Sequence, residues 1–225
     1  MERLAKAISS RGYSSRRDAE KLIQEGRVKI NGNVISEVIT FVKYSDVIEI
    51  DNVILTIPKP RLWIYYKPRG LVTTHKDPQG RPTVFDNLPI KIPYIISVGR
   101  LDVESEGLLL LTNNGEFARK LELPSNNYPR IYKVKAYGKF NNESLRTLES
   151  GIEIDGIKYK NCKIKHIKSN STNHWFEVTI YEGKNREIRK LFEYIGMEIN
   201  RLIRTSFHEY TLGTMKSGEI LEIKI

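Results

Sequence analysis

The stretch Thr56-Ile57-Pro58-Lys59-Pro60 constrains this chain more than any other, because it stops both kinds of regular structure at once. Two prolines in three residues remove backbone donors and favour extended chain. Residues 56–60 therefore read as a linker between two units of different design, 1–55 and 61–225.

The first unit begins helical. Leu4, Ala5, Ala7 and Ile8 share one helical face, which Arg11-Gly12-Tyr13 ends. In the second helix Ser15 caps with Asp18 three positions on, Ala19, Leu22 and Ile23 make the buried stripe, and Gly26 is the stop. The period then falls to two. Val28 to Ile30 and Asn33 to Ile35 flank an Asn31-Gly32 turn, and residues 47–50 and 53–55 add short strands. Two helices and a small sheet make a compact α+β unit.

The second unit has more strands than helices. Strands are expected at 62–66, 95–98, 108–111, 131–137, 152–154, 157–167, 175–181, 201–206 and 220–225, with Asp155-Gly156 as a hairpin turn and a polar loop at 169–173. Helices are expected at 116–121, 143–148 and 186–195. Strands that do not alternate with helices imply an α+β fold with a mixed, largely antiparallel sheet and helices packed against it.

Charge points to the partner. The net charge is +10, from 37 basic and 27 acidic residues, which describes a folded object with a positive exterior and favours a polyanion. Residues 1–30 carry eight basic side chains against four acidic ones, whereas 31–55 carry one lysine and four acids. The helices bear the positive face. The single cysteine, Cys162, cannot pair within the chain and fits a reducing cytoplasm. No apolar run approaches a membrane span, and none forms a signal core at the N-terminus.

Chemistry is narrowed first by exclusion. The sequence has no phosphate loop, dinucleotide fingerprint, zinc-protease helix or nucleophile elbow, and its four histidines lack metal-ligand spacing. No metal and no cofactor are expected. What stands out is Asp102, a carboxylate at the mouth of a strand, after Gly99-Arg100 and before a turn that Gly107 is expected to end. A loop held by rigid elements on both sides is where catalytic groups tend to lie. Taken alone, Asp102 is as easily a surface turn residue, and a pairing with Glu106 would suggest an acid-dependent hydrolase.

Longer strings decide between these readings. SSRRDAEKLIQEGRVKING resembles the small RNA-binding domain named after ribosomal protein S-four, the alpha-L motif. SVGRLDVESEGLLLLTNNGEFARKL is similar to the active-site motif of the RNA pseudouridine synthases of the RsuA family, which carry such a domain in front. Gly99, Arg100, Leu101, Asp102, Ser105, Gly107 and Leu108 to Leu111 fit that motif position by position. YYKPRGLVTT, RIYKVKAYG and EGKNREIRKLF match its other segments in order, and DPQGRPTVFDNLP looks closest to the RluB-like branch, which modifies large-subunit ribosomal RNA. Two positions depart from the pattern: Tyr66 stands where the family usually has Asn, and Asn114 where Asp is common.

The resemblance implies isomerisation of a flipped-out uridine, which needs no redox step or energy source. Asp102 is then the expected catalytic carboxylate, by attack on the sugar or by removing a sugar proton. Arg189 is its expected cationic partner, because a carboxylate in a site closed to water needs one to stay charged. Tyr132, which matches the family's tyrosine, is expected to stack on the uracil, and Arg100 to fill the gap left by the extruded base. Lys184 and Arg186 are expected on phosphates, and Arg3, Lys6, Arg11, Arg16, Arg17, Arg27 and Lys29 form the RNA-binding face of the first unit. A non-catalytic RNA-binding protein is the competing reading. The expected molecule is a cytoplasmic monomer acting on ribosomal RNA, with no membrane partner.

Overall fold

The structure is a computed structural model that describes residues 1–90, 92 and 94–224. Its first part comprises β1 (Glu2–Arg3), α1 (Leu4–Ser10), α2 (Arg16–Gln24), β2 (Val28–Ile30), β3 (Asn33–Ile35), β4 (Phe41–Val42), β5 (Ile48–Ile50) and β6 (Val53–Ile54). Ser15 caps α2 as its sequence suggests, accepting from the Asp18 N–H at 3.1 Å. Asn31 and Gly32 both turn at positive φ, 51° and 85°, between β2 and β3. Leu4, Ile8, Ala19, Ile23, Val28, Ile48 and Ile50 close a separate small core.

The second part comprises β7 (Leu62–Lys67), β8 (Ile96–Val98), β9 (Glu106–Thr112), α3 (Gly115–Glu122), β10 (Arg130–Tyr137), α4 (Asn142–Glu149), β11 (Ile152–Ile154) and β12 (Ile157–Tyr159). It continues through β13 (Lys163–Asn170), β14 (Asn173–Ile180), α5 (Glu187–Tyr194), β15 (Glu198–Phe207), β16 (Tyr210–Thr211) and β17 (Ile220–Ile223). Among the described residues the main sheet runs β13-β14-β10-β15-β9-β7-β17, with β16 on β15 and β8 on β9. All its ladders are antiparallel except β9 with β15, so the sheet is mixed and largely antiparallel, as expected.

The leucine run follows from the layering. Leu109 and Leu111 enter the core that α4 and α5 cover, while Leu108 and Leu110 enter the core that α3 covers. A strand buried on both faces carries apolar residues at every position. Toward the other end of the sheet mainly one face is covered. Tyr132, Val134 and Ala136 of β10 and Phe176 and Val178 of β14 face the α4 and α5 side, and the residues between them face out.

Three expectations need correction. The strand expected at 157–167 is two strands, β12 and β13, that belong to different sheets. The polar run 169–173 is a tight hairpin rather than a loop: Asn170 pairs with Asn173, and Ser171 takes a φ of 55°. Gly107 does not end a turn but lies within β9 at φ +105°. There β9 meets Arg204 of β15, and a Cβ on residue 107 would stand 2.3 Å from the Arg204 carbonyl oxygen. Only glycine allows so close an approach at that φ. Ile225, the last residue of the expected final strand, lies outside the described residues. No helix among the described residues is long and apolar enough to cross a membrane.

Candidate active site

Asp102 stands on the turn between β8 and β9, closed by the Ser105 N–H, which donates to the Asp102 carbonyl at 3.0 Å. Two cations hold this turn, both through backbone oxygens. Lys67, at the end of β7, is fully buried, and its ammonium donates to the carbonyls of Pro68 at 3.0 Å, Asp102 at 3.2 Å and Ser105 at 2.8 Å. Three protons meet three acceptors. Burial pulls the Lys67 pKa down to about 8, although Asp102, Glu106 and Glu104 oppose the shift. Arg189, from α5, donates to the Glu104 carbonyl at 3.0 Å and to that of Ile199 at 3.4 Å.

The expected ion pair between Arg189 and the Asp102 carboxylate is therefore not formed; no ion pair among the described residues joins them. The guanidinium ties the Glu104 carbonyl of the turn to the Ile199 carbonyl of β15, its Nε finds no partner among the described residues, and it stands near the carboxylate as a neighbouring charge. Burial, then the charge of Arg186, lowers the Arg189 pKa, while Asp102 and Glu104 raise it. The side-chain oxygens of Asp102 accept no hydrogen bond among the described residues, and the residue lines a cleft of about 1060 Å³.

Arg100, Tyr132, Arg130, Arg186 and Arg204 share that cleft with Asp102. Tyr132 and Arg204 are direct partners across β10 and β15, so both point to the cleft side of the sheet. The Arg204 side chain is buried and its Nε donates to the Leu108 carbonyl at 2.7 Å. Arg130 donates to the carbonyls of Tyr128 at 3.1 Å and Tyr181 at 3.4 Å. Glu187, at the start of α5, accepts from the Gly183 and Lys184 N–H groups, each at 2.9 Å, and so fixes the loop that carries Lys184 and Arg186. Its burial outweighs those donors and pushes its pKa up to about 7.

Of the expected catalytic residues, Asp102 and Tyr132 meet in the cleft and Arg189 stands behind the turn. Arg100 is exposed at the cleft rim, and Arg186 lines it from a left-handed backbone position, φ 52°. Lys184 is partly engaged: it donates to the Lys158 carbonyl and pairs with Glu182 at 3.1 Å. In the first unit Arg3, Arg16 and Arg17 are exposed without a side-chain partner among the described residues. The others are spoken for. Lys6 pairs with Glu2 and Glu116, Arg27 with Glu25 and Asp51, Lys29 donates to Asn52, and Arg11 to the Asp46 carbonyl.

Lys67, Arg130, Arg204 and Glu187 escaped the sequence reading. A lysine closing the apolar strand LWIYYK and an arginine inside LIRTSF were the signals available. Glu106 is held by Arg201 at 2.6 and 3.0 Å and by the Tyr66 hydroxyl at 3.3 Å, so it supplies no second acid to the cleft and the hydrolase reading loses its pair. The same contact explains Tyr66. Asn114 caps α3 through its side-chain oxygen, accepting from the Glu116 and Phe117 N–H groups at 3.0 Å each, as an aspartate would.

A mixed sheet carries an acid turn over a cleft that four arginines line, and a small α+β unit precedes it. Residues 61–194 match the RNA pseudouridylate synthase family and residues 2–48 the S4 domain, and the chain belongs to the RNA pseudouridine synthases. It is 53% identical to a Rickettsia felis protein named as an uncharacterized RNA pseudouridine synthase, over 99% of this chain and 97% of that one. It is 39% identical to ribosomal large subunit pseudouridine synthase B of Bacillus subtilis, over 99% and 92% of the two chains. A crystal structure of a pseudouridylate synthase superposes with a TM-score of 0.70 at 25% identity, covering 100% of this chain and 96% of that one.

Proposed function

We propose that this enzyme converts a uridine of large-subunit ribosomal RNA to pseudouridine, with Asp102 as the catalytic carboxylate. The observation that carries the site assignment is that Asp102 and Tyr132, from different elements, line one cleft together with Arg100, Arg130, Arg186 and Arg204. The carboxylate has no competing partner within the protein, so it is free to attack the sugar or to take its proton. Tyr132 supplies the ring on which uracil stacks, and Arg100 at the rim enters the gap left by the flipped nucleotide. Arg186 and Lys184 contact phosphates beside the cleft. Arg189 and Lys67 are positioning residues that hold the Asp102 turn through its carbonyls.

The choice of large-subunit RNA rests on the DPQGRPTVFDNLP segment and on the relatives named ribosomal large subunit pseudouridine synthase B. In this reading residues 1–55 grip the RNA, 56–60 link, and 61–225 catalyse, as a cytoplasmic monomer that needs no cofactor. The test is to incubate the purified protein with unmodified transcripts of each ribosomal RNA and map pseudouridine by carbodiimide primer extension. A new stop in the large-subunit transcript alone is expected. Modification confined to the small-subunit transcript would refute the substrate, and binding without any isomer would favour a protein that only binds RNA.

A further inference from the structure

The sheet has a second charged surface, on the side away from the cleft. β10, β14 and β13 are adjacent strands, and their cleft-side residues are Tyr132, Val134, Phe176, Val178 and Ile164. Strand alternation sends the residues between them to the opposite face. There Lys133 and Lys165 flank Glu177 from either side, Lys135 and Lys168 flank Trp175, and Lys163 pairs with Thr179. Arg201 of β15 is the direct partner of Lys135. Five lysines and one arginine thus share this face with Glu177, with Glu106 paired to Arg201 and with Glu198 opposite Tyr137.

Among the described residues none of the five lysines forms an ion pair, whereas Arg201 is committed to Glu106. Unpaired cations also occur elsewhere, Arg3, Arg16 and Arg17 among them, but here five stand on three adjacent strands of one sheet face. Like charges directly opposite each other destabilise a sheet, and a face built for solubility alone intersperses the two signs. Lysines on β13 have another use, since it is the edge of the sheet and charge there prevents pairing with other chains. That role does not explain Lys133 and Lys135. Their strand, β10, lies inside the sheet between β14 and β15.

We propose that this face is a second RNA-binding surface, taking the phosphate backbone of a duplex region away from the modified uridine. Alternate residues along a strand are roughly 7 Å apart and every second strand roughly 10 Å away, so the lysines, with a bulge in β13 between Lys165 and Lys168, form two rows at a spacing comparable to that of backbone phosphates. Between the rows Trp175 packs against the core instead of offering a stacking platform, which favours paired over single-stranded RNA. With the cleft on one face and these rows on the other, a folded RNA would be held on both sides of one sheet. The proposal goes beyond the catalytic reading and rests only on RNA being the substrate.

The test uses two full-length variants, one with Lys133→Gln and Lys135→Gln, the other with Lys163→Gln, Lys165→Gln and Lys168→Gln. Affinity for a large-subunit ribosomal RNA transcript is measured against salt, with thermal melts to verify folding. Each lysine that contacts a phosphate adds about one to the slope of log affinity against log salt. The slope should fall by about two in the first variant and about three in the second, while turnover at saturating RNA stays within twofold. Unchanged affinity and slope in the first variant would overturn the proposal, and so would aggregation of the second with wild-type RNA binding. Binding is read without turnover, so an enzyme that grips RNA through this face yet forms no pseudouridine would sink the catalytic reading alone.

Discussion

The two units use the same side chains in opposite solvents. In the first, Arg3, Arg16, Arg17 and Lys21 meet water, whereas around the cleft Lys67 and Arg204 are buried and Arg130 and Arg189 partly so, each donating to at least one backbone carbonyl, although Arg189 Nε and Arg204 Nη2 have no partner among the described residues. A solvated cation offers its charge to RNA and contributes little to the fold. A buried cation organises the chain around it, and removing it leaves acceptors unpaired. The contrast teaches that basic residues in this protein divide into those that grip and those that hold, and that burial, not residue type, decides which.

Lys67→Met is the sharpest way to break the comparison. It strips the donor from three carbonyls, at about 1–3 kcal/mol for each one that water does not reach. It also frees the turn that carries Asp102, and a displacement near 1 Å lowers turnover by about 100-fold. Thermal melts and single-turnover rates check both. The same lysine predicts a pH effect. Between its folded pKa of about 8 and the ordinary 10.5, the unfolded chain keeps a proton that the folded protein has released, so this group adds stability as pH rises through that window and loses it as pH falls through 8. The neutral amine has only two N–H groups for three carbonyls. Wild-type turnover should therefore decline above pH 8 while the melting temperature does not fall with it on account of this group.

The smallest effect belongs to the other side of the comparison. Replacing Arg16 and Arg17 by alanine should leave the melting temperature unchanged and turnover at saturating RNA intact. Binding should weaken several-fold, and the salt slope should fall by about two. A marked loss of stability in that variant would mean that the solvated cations also hold the fold.

Local chemistry was legible in the sequence, and long-range pairing was not. The Ser15 cap and the Asn31-Gly32 and Asp155-Gly156 turns depend on neighbours a few residues away, and all form. The Asp102 turn was legible through the ordered string around it. The role of Gly107 was not, because it is set by Arg204, nearly a hundred residues later, in the sheet's parallel ladder. Nor did the motif containing Arg189 reveal which oxygen the guanidinium takes. A motif brings a cation near an acid, but the backbone carbonyls of Glu104 and Ile199 compete for the same N–H groups, and here they win. Lys67 was hidden for a related reason: a lysine at a strand end reads as a solvated terminus until the turn from a neighbouring strand closes over it.

Asp102→Asn tests the central claim most directly, because it removes one negative charge and keeps the shape of a side chain that the protein itself does not bind. Pseudouridine formation in a ribosomal RNA transcript, followed by mass spectrometry, should disappear while RNA affinity stays within a few fold of wild type. Turnover surviving in that variant would contradict the account.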